Sequence, residues 1–183
     1  EFRRIVEAQD IPAQIAALNR VEVKPGDVYL VGPGMPHALG PGVFMIEVQE
    51  PTDLVVNTEY VFCGLQRTEA QCFMGLGFDL GMSCFDYQGT GMAYVAEHRP
   101  APRILQDDPA GTEEVLIGPE HTPCFGMARL TVQGRVRDRD RGRCYVGIVL
   151  EGQGRICGPA ANMPLRAGIT FFIPAASAHE SFQ

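Results

Sequence analysis

The residues best suited to chemistry in this 183-residue chain are one histidine and a few polar side chains shortly after it. His37 closes the segment Gly26-Asp-Val-Tyr-Leu-Val-Gly-Pro-Gly-Met-Pro-His37, which reads as a glycine, a short apolar strand, a tight turn and an imidazole. A neutral imidazole at a strand end is a good ligand for zinc or a similar divalent ion. Further on, Glu47 and Gln49 stand two apart in an apolar run. Positions two apart share one face of a strand, so this carboxylate and this carboxamide point together and Glu50 points away. A carboxylate turned inward from such a strand needs a partner or a task such as proton transfer. The same spacing fits a solvent-facing edge, and both readings of Glu47 stand.

The glycine-to-histidine segment occurs twice. Residues 168–179 read Gly-Ile-Thr-Phe-Phe-Ile-Pro-Ala-Ala-Ser-Ala-His179, and Gly168 and His179 align with Gly26 and His37 at one common offset. Self-similarity at a fixed register predicts two related β units. The two histidines differ as candidates. Residues 124–163 contain no other histidine, and Glu151 alone cannot close a metal site, so His179 reads as structural or solvent-facing.

The elements that must position these residues follow from periodicity. Residues 1–19 read as helical, with Phe2, Ile5 and Val6 on one face and Asp10 capping a second segment that has Pro12 in its first turn. From Val21 the period changes to two, predicting strands over 21–24, 28–31, 43–49 and 54–62. Residues 66–87 read as helical again, opened by Thr68 with Gln71 three positions later, and interrupted by glycines. Residues 97–122 are rich in proline and glycine and read as a linker with one short strand at 115–117. Strands are expected again over 124–133, 143–150, 153–157, 164–166 and 169–174, with a last one near His179. Regular short strands and glycine turns imply a mostly β sandwich or barrel.

Composition narrows the classes. Hydrophobic residues at 45% and charged residues at 20% suit a globular chain with a core. The net charge of −7 argues against nucleic acid as a partner, and no apolar run is long enough for a membrane span. The alternating run from Arg135 to Arg143 reads as a solvated hairpin loop, with a polyanion site as the lesser alternative. Six cysteines without a C-x-x-C pair, and no secretory signal, read as reduced core thiols of a cytoplasmic protein; a redox or zinc-thiolate site is the alternative. Both termini read as cut: Glu1 opens the chain without a methionine, and Gln183 ends it inside a strand-like run.

The repeated segment resembles the second signature of the cupin superfamily, G-x5-P-x-G-x2-H, with Gly32 in place of its proline in the first copy and Ala176 in place of its second glycine in the second. The stretch Val21-Glu-Val-Lys-Pro-Gly-Asp through His37-Ala, followed by Glu47-Val-Gln49-Glu50-Pro51-Thr52-Asp53, is similar to class I mannose-6-phosphate isomerases. That family carries a PGD turn, a PxGxxHA segment and an E-x-Q-x-x-(S/T)-D strand in this order. The resemblance extends to residues 113–119 and 168–174. It implies a double cupin, two small jelly-roll barrels with a few helices at the N-terminus and between them. The first barrel and its helices would occupy 1–96, the linker 97–122, and the second barrel 123–183.

The resemblance also implies the chemistry, a metal-dependent interconversion of mannose 6-phosphate and fructose 6-phosphate through an enediolate. It makes His37 the last ligand of one zinc or other divalent ion, with the remaining ligands on strands upstream of Glu1. Glu47 would act in catalysis and Gln49 in substrate binding, and the partner would be a small sugar phosphate. Asn57 stands where the family has a catalytic arginine. Asparagine is neutral and lacks the charged fork of a guanidinium. Arg67 is the nearest downstream cation, and no phosphate-binding group is identified, Lys24 being the only lysine. Two competing readings are a sugar-binding or regulatory double cupin without catalysis, favoured by Asn57, and a different cupin metalloenzyme such as a dioxygenase, disfavoured by the lack of an H-x-H pair.

Overall fold

The computed structural model describes residues 1–52, 54–137, 142–158, 162–175 and 181–182. Asp53, the centre of the arginine-rich run and His179 lie outside the described residues. The chain divides into two units, Glu1–Ala101 and Pro102–Gln183. Its regular structure is mostly β, as the periodicity predicts, with five short helices among the described residues.

The first unit is built on helices. Helix α1 (Phe2–Glu7) and α2 (Ile11–Ala16) form where expected, and the Asp10 carboxylate accepts the Ala13 amide at 3.1 Å, satisfying one of the free donors of α2. The region expected as one interrupted helix divides into α3 (Glu69–Cys72) and α4 (Phe78–Ser83). Met74 (φ 55°) and Gly75 (φ 75°) turn the chain between them. Thr68 closes a reciprocal capping box with Gln71, with its backbone N–H donating to the Gln71 carboxamide oxygen at 2.8 Å. A further helix, α5 (Met92–Glu97), follows. Val6, Cys72, Phe73 and Met82 are fully buried together, flanked by Phe2, Val56, Tyr60, Phe78 and Phe85. The Phe73 and Phe78 rings meet edge-on at 5.4 Å. Gly81 is required at this contact, because a Cβ there would lie 2.2 Å from the Phe73 ring.

The strands expected across residues 21–60 do not form ladders among the described residues. Among the described residues, the pairing in this unit joins β1 (Val61–Phe62) to β2 (Leu65–Gln66), across the left-handed pair Cys63 and Gly64. The pattern for strands is present, but a strand is stabilised by hydrogen bonds and side-chain contacts with a neighbour, and none is supplied here.

The second unit has the expected ladders, all antiparallel. β3 (Arg103–Asp108), β4 (Gly111–Ile117) and β5 (Met127–Val132) form one sheet in that order. Two strands therefore lie where the sequence reading placed a linker with one strand. Their tight turn is held by Asp108, whose carboxylate accepts the Ala110 amide at 2.8 Å. A second sheet has the order β6 (Val136–Arg137), β11 (Ser181–Phe182), β8 (Gln153–Cys157), β9 (Asn162–Arg166). A third pairs β7 (Tyr145–Ile148) with β10 (Thr170–Ile173). Ile156, Ile173 and Phe182 form the buried cluster, with Tyr145, Leu165 and Phe171 against it. Opposite Phe171 in the ladder stands Gly147, where a Cβ would lie 2.1 Å from the Phe171 ring.

The cysteines correct the expectation of core thiols. Of the six only Cys72 is buried; Cys63, Cys84, Cys124 and Cys144 are exposed. Apolar sequence neighbours bury a thiol only where the segment itself enters a core, and most of these segments do not. Among the described residues no helix is long and apolar enough to cross a membrane.

Candidate functional site

His37 is placed by two turns. In the first, the Asp27 amide donates to the Lys24 carbonyl at 3.0 Å and the Asp27 carboxylate accepts the Lys24 amide at 2.9 Å. Asp27 is also ion-paired with Arg99, just after α5. The Lys24 amide, and then the Arg99 guanidinium, hold the Asp27 carboxyl below the usual carboxylate range. In the second turn, the Met35 amide donates to the Gly32 carbonyl, with Pro33 and Gly34 (φ 74°) between them, the residue pattern of a type II turn. Gly34 packs on the end of α4. Its carbonyl accepts the Asp86 amide at 2.8 Å, and a Cβ there would lie 2.9 Å from the Cys84 carbonyl. The glycine of the motif is therefore fixed by its conformation and by the backbone against it.

The His37 ring is exposed, and its Nδ1 lies 2.9 Å from the Met35 carbonyl oxygen. A proton on Nδ1 donates to that carbonyl, leaving the Nε2 lone pair free for a ligand, the arrangement that orients metal-binding histidines. Among the described residues there is no group of three or more His, Cys, Asp or Glu that could hold a metal ion.

Glu47 and Gln49 are exposed and lie in a segment without ladder partners. The Gln49 carboxamide donates to the Thr52 carbonyl at 3.3 Å. Asn57 is half-buried, and its backbone amide donates to the Cys72 carbonyl at 2.9 Å, tying it to the end of α3 beside the core. Among the described residues no hydrogen bond links the side chains of His37, Glu47, Gln49 and Asn57 to one another. Arg67, the nearest downstream cation, lies over the Phe62 ring, 4.8 Å from its centroid.

One feature of this unit had no counterpart in the sequence reading. A cleft of 360 Å³ is lined by Arg20, Glu22, Tyr29 and Arg99, with Met92 and Val95 of α5 on its apolar side. Arg99 lies over the Tyr29 ring at 5.5 Å, and the Tyr29 hydroxyl is buried with no hydrogen-bond partner. None of the four expected site residues lines this cleft. Arg20 and Arg99 are far apart in sequence and belong to no motif, so only the packing of α5 on residues 28–31, through the Leu30 amide and the His98 carbonyl at 2.9 Å, brings them together.

No family model matches the chain. Among curated proteins it is similar to the probable mannose-6-phosphate isomerase GmuF of Bacillus subtilis (strain 168), with 25% identity over 179 residues. The match covers 96% of this chain and 50% of the relative, so the chain spans about half the length of that protein. Among solved structures, a mannose 6-phosphate isomerase from Bacillus subtilis superimposes with a TM-score of 0.46 and 15% identity, covering 59% of this chain and 31% of that one.

Proposed function

We propose that this chain is the His37-bearing part of a cytoplasmic aldose–ketose isomerase that acts on sugar phosphates through an enediolate, with mannose 6-phosphate and fructose 6-phosphate as its pair, on a double-cupin frame. The observation that carries the reading is the similarity, over 96% of this chain and half of the relative, to a protein named as a probable mannose-6-phosphate isomerase. The setting of His37 supports it, since Nδ1 meets the Met35 carbonyl and the exposed ring leaves Nε2 for a ligand.

The reading includes zinc or another divalent ion, which would polarise the sugar oxygens. The described residues do not fit such a centre by themselves, because His37 belongs to no group of three or more possible ligands among them. The chain's own contribution is therefore derived without a step through a metal. Moving a proton between adjacent carbons needs a base, and the exposed Glu47 carboxylate is the candidate. Gln49 would hold a sugar hydroxyl on the same strand face, and the Asn57 carboxamide would donate to a developing oxyanion. A neutral amide in place of a guanidinium forfeits about 3 kcal/mol of transition-state stabilisation.

A second reading, a sugar-binding protein of the same frame without turnover, is favoured by Asn57. Metal content and turnover of mannose 6-phosphate, measured on the protein as the cell makes it, separate the two. Bound zinc, turnover, and a loss of metal affinity of about 10-fold or more in His37→Gln support the isomerase. Sugar binding without metal or turnover establishes the second reading.

A further inference from the structure

The turn that presents His37 is specified locally by Pro33 and Gly34, but it is held from a distance. One hydrogen bond closes it, from the Met35 amide to the Gly32 carbonyl at 3.3 Å. Ordering the backbone of such a turn costs more than one hydrogen bond returns, so further contacts must keep it formed. Residues 86–99, which are the loop before α5, α5 itself and the two residues after it, supply them. The Asp27 carboxylate is ion-paired with Arg99. The Leu30 amide donates to the His98 carbonyl at 2.9 Å. The Thr90 hydroxyl donates to the Met35 sulfur at 3.9 Å, and the Asp86 amide to the Gly34 carbonyl at 2.8 Å.

Tyr94 lies among these contacts. Its hydroxyl would stand 3.3 Å from a Cβ at Gly32, so close that the hydroxyl would have to give way. Gly32 is where the cupin pattern has proline, and this departure from the motif leaves room for the tyrosine. The Tyr94 ring is itself set by stacking on His98, with centroids 3.7 Å apart and planes 16° from parallel. Asp27, Leu30, Gly32 and Met35 thus meet Arg99, His98, Tyr94 and Thr90 in antiparallel order, across 72 to 55 residues of intervening sequence. The series ends at Met35, whose carbonyl oxygen lies 2.9 Å from Nδ1 of His37.

We infer that Tyr94 and Arg99 are positioning residues for His37: they lock residues 27–35 so that the Met35 carbonyl keeps the proton of the neutral ring on Nδ1 and leaves Nε2 for a ligand. Arg99 anchors the far end of the segment at Asp27, and Tyr94 closes the turn against Gly32. Both act through the turn rather than on the ring. Their use in function rests on the reading of His37 as a ligand; the state of the ring does not.

The test uses the 183-residue chain with isotope-labelled histidine, and His37→Gln assigns the ring signal. Long-range proton–nitrogen NMR spectra, taken where the ring is neutral, report which nitrogen carries the proton. The parent should carry it mainly on Nδ1. In Tyr94→Ala and in Arg99→Gln the ratio of the Nδ1–H to the Nε2–H form should fall by about fivefold, the weight of one net hydrogen bond. Arg99→Lys, which keeps a cation opposite Asp27, should restore most of it. Gly32→Ala should lower the ratio as well, and adding Tyr94→Phe should rescue it by making room for the methyl group. Val6→Ala, in the buried cluster of the same unit, registers lost stability alone and should leave the ratio unchanged. Amide spectra check that each variant folds. A parent ring protonated on Nε2, an unchanged ratio in folded Tyr94→Ala and Arg99→Gln, or an equal fall in Val6→Ala overturns the inference. Shifts as expected in a protein that does not turn over mannose 6-phosphate uphold the positioning and overturn the isomerase reading.

Discussion

Residues 43–49 read as a strand and residues 103–117 as part of a linker with one short strand at 115–117, yet the outcome is the reverse. The second run becomes β3 and β4, paired along its length and, in β4, largely buried, with Glu113, Leu116 and Ile117 among its covered residues. The first enters no sheet and is exposed throughout. The difference lies in the neighbours. β4 has β3 on one side and β5 on the other, and its Glu114 stands opposite Arg129, which donates from Nε at 2.7 Å. Among the described residues no strand pairs with 43–49. Period-two patterning states that a segment can pair; it does not supply the partner.

The largest test of this contrast sets the two cores side by side. Phe73→Ala, which removes the ring at the centre of the first unit, should cost about 3–5 kcal/mol, and Ile156→Ala in the second about 2–5 kcal/mol. Denaturant unfolding measures both. Ile46→Ala, in the unpaired run, should stay within about 0.5 kcal/mol. A cost at Ile46 approaching that at Ile156 would break the contrast, because it would mean residue 46 is packed.

A smaller effect sharpens it at glycines. Gly147→Ala forces a methyl group into the Phe171 ring and should destabilise by about 1–3 kcal/mol, whereas Gly40→Ala, in open space, should be nearly silent. Thermal melts of the two variants decide this. Next, Thr68→Ala removes the cap of α3 and should cost about 1 kcal/mol, loosening the Cys72 carbonyl that holds the Asn57 amide. Exchange of the Asn57 amide is the measurement, and it should quicken.

The smallest effect is electrostatic. The Arg129 hydrogen bond holds the Glu114 carboxyl below its ordinary value of 4.5, and the Lys24 amide, then Arg99, hold that of Asp27 below 3.8. A depressed carboxyl stabilises the fold above its unfolded-state value and loses that contribution as pH falls through the lower folded value. Unfolding midpoints should therefore fall in acid. In Glu114→Gln the fall should be shallower, with Asp27→Asn giving the corresponding change in the first unit. An acid profile identical to the parent in both variants would show that these carboxyls do not set it.

The helices show how far local rules reach. Asp10 and Thr68 act as caps where their side-chain chemistry places them, because a cap is a contact between residues three positions apart and needs no distant partner. The strands from Met127 on were readable for a related reason, their period-two runs being bounded by local turns, whereas β3 and most of β4, joined at the Asp108 turn, lie where the composition predicts a linker. Met74 and Gly75, which divide the helical region, reflect the glycines already visible in the sequence. The cleft at Arg20 and Arg99 was not readable, since its walls meet only when α5 packs on residues 28–31. The candidate site divides in the same way. The Gly34 turn and the outward His37 ring are local products of the motif. Any meeting of His37 with Glu47, Gln49 and Asn57 depends on strand pairing, and the described residues contain no such pairing for 43–49.

The sequence by itself determined the mostly β class, the capped helices, the turn that presents His37 and the residues worth testing. These depend on contacts within a few positions, where chain connectivity already holds the groups together. The tertiary structure alone decided which strand-like runs pair, which cysteine is buried and where the arginine-lined cleft opens. Those outcomes depend on distant segments meeting, and each such meeting must offset the entropy of ordering the chain between them.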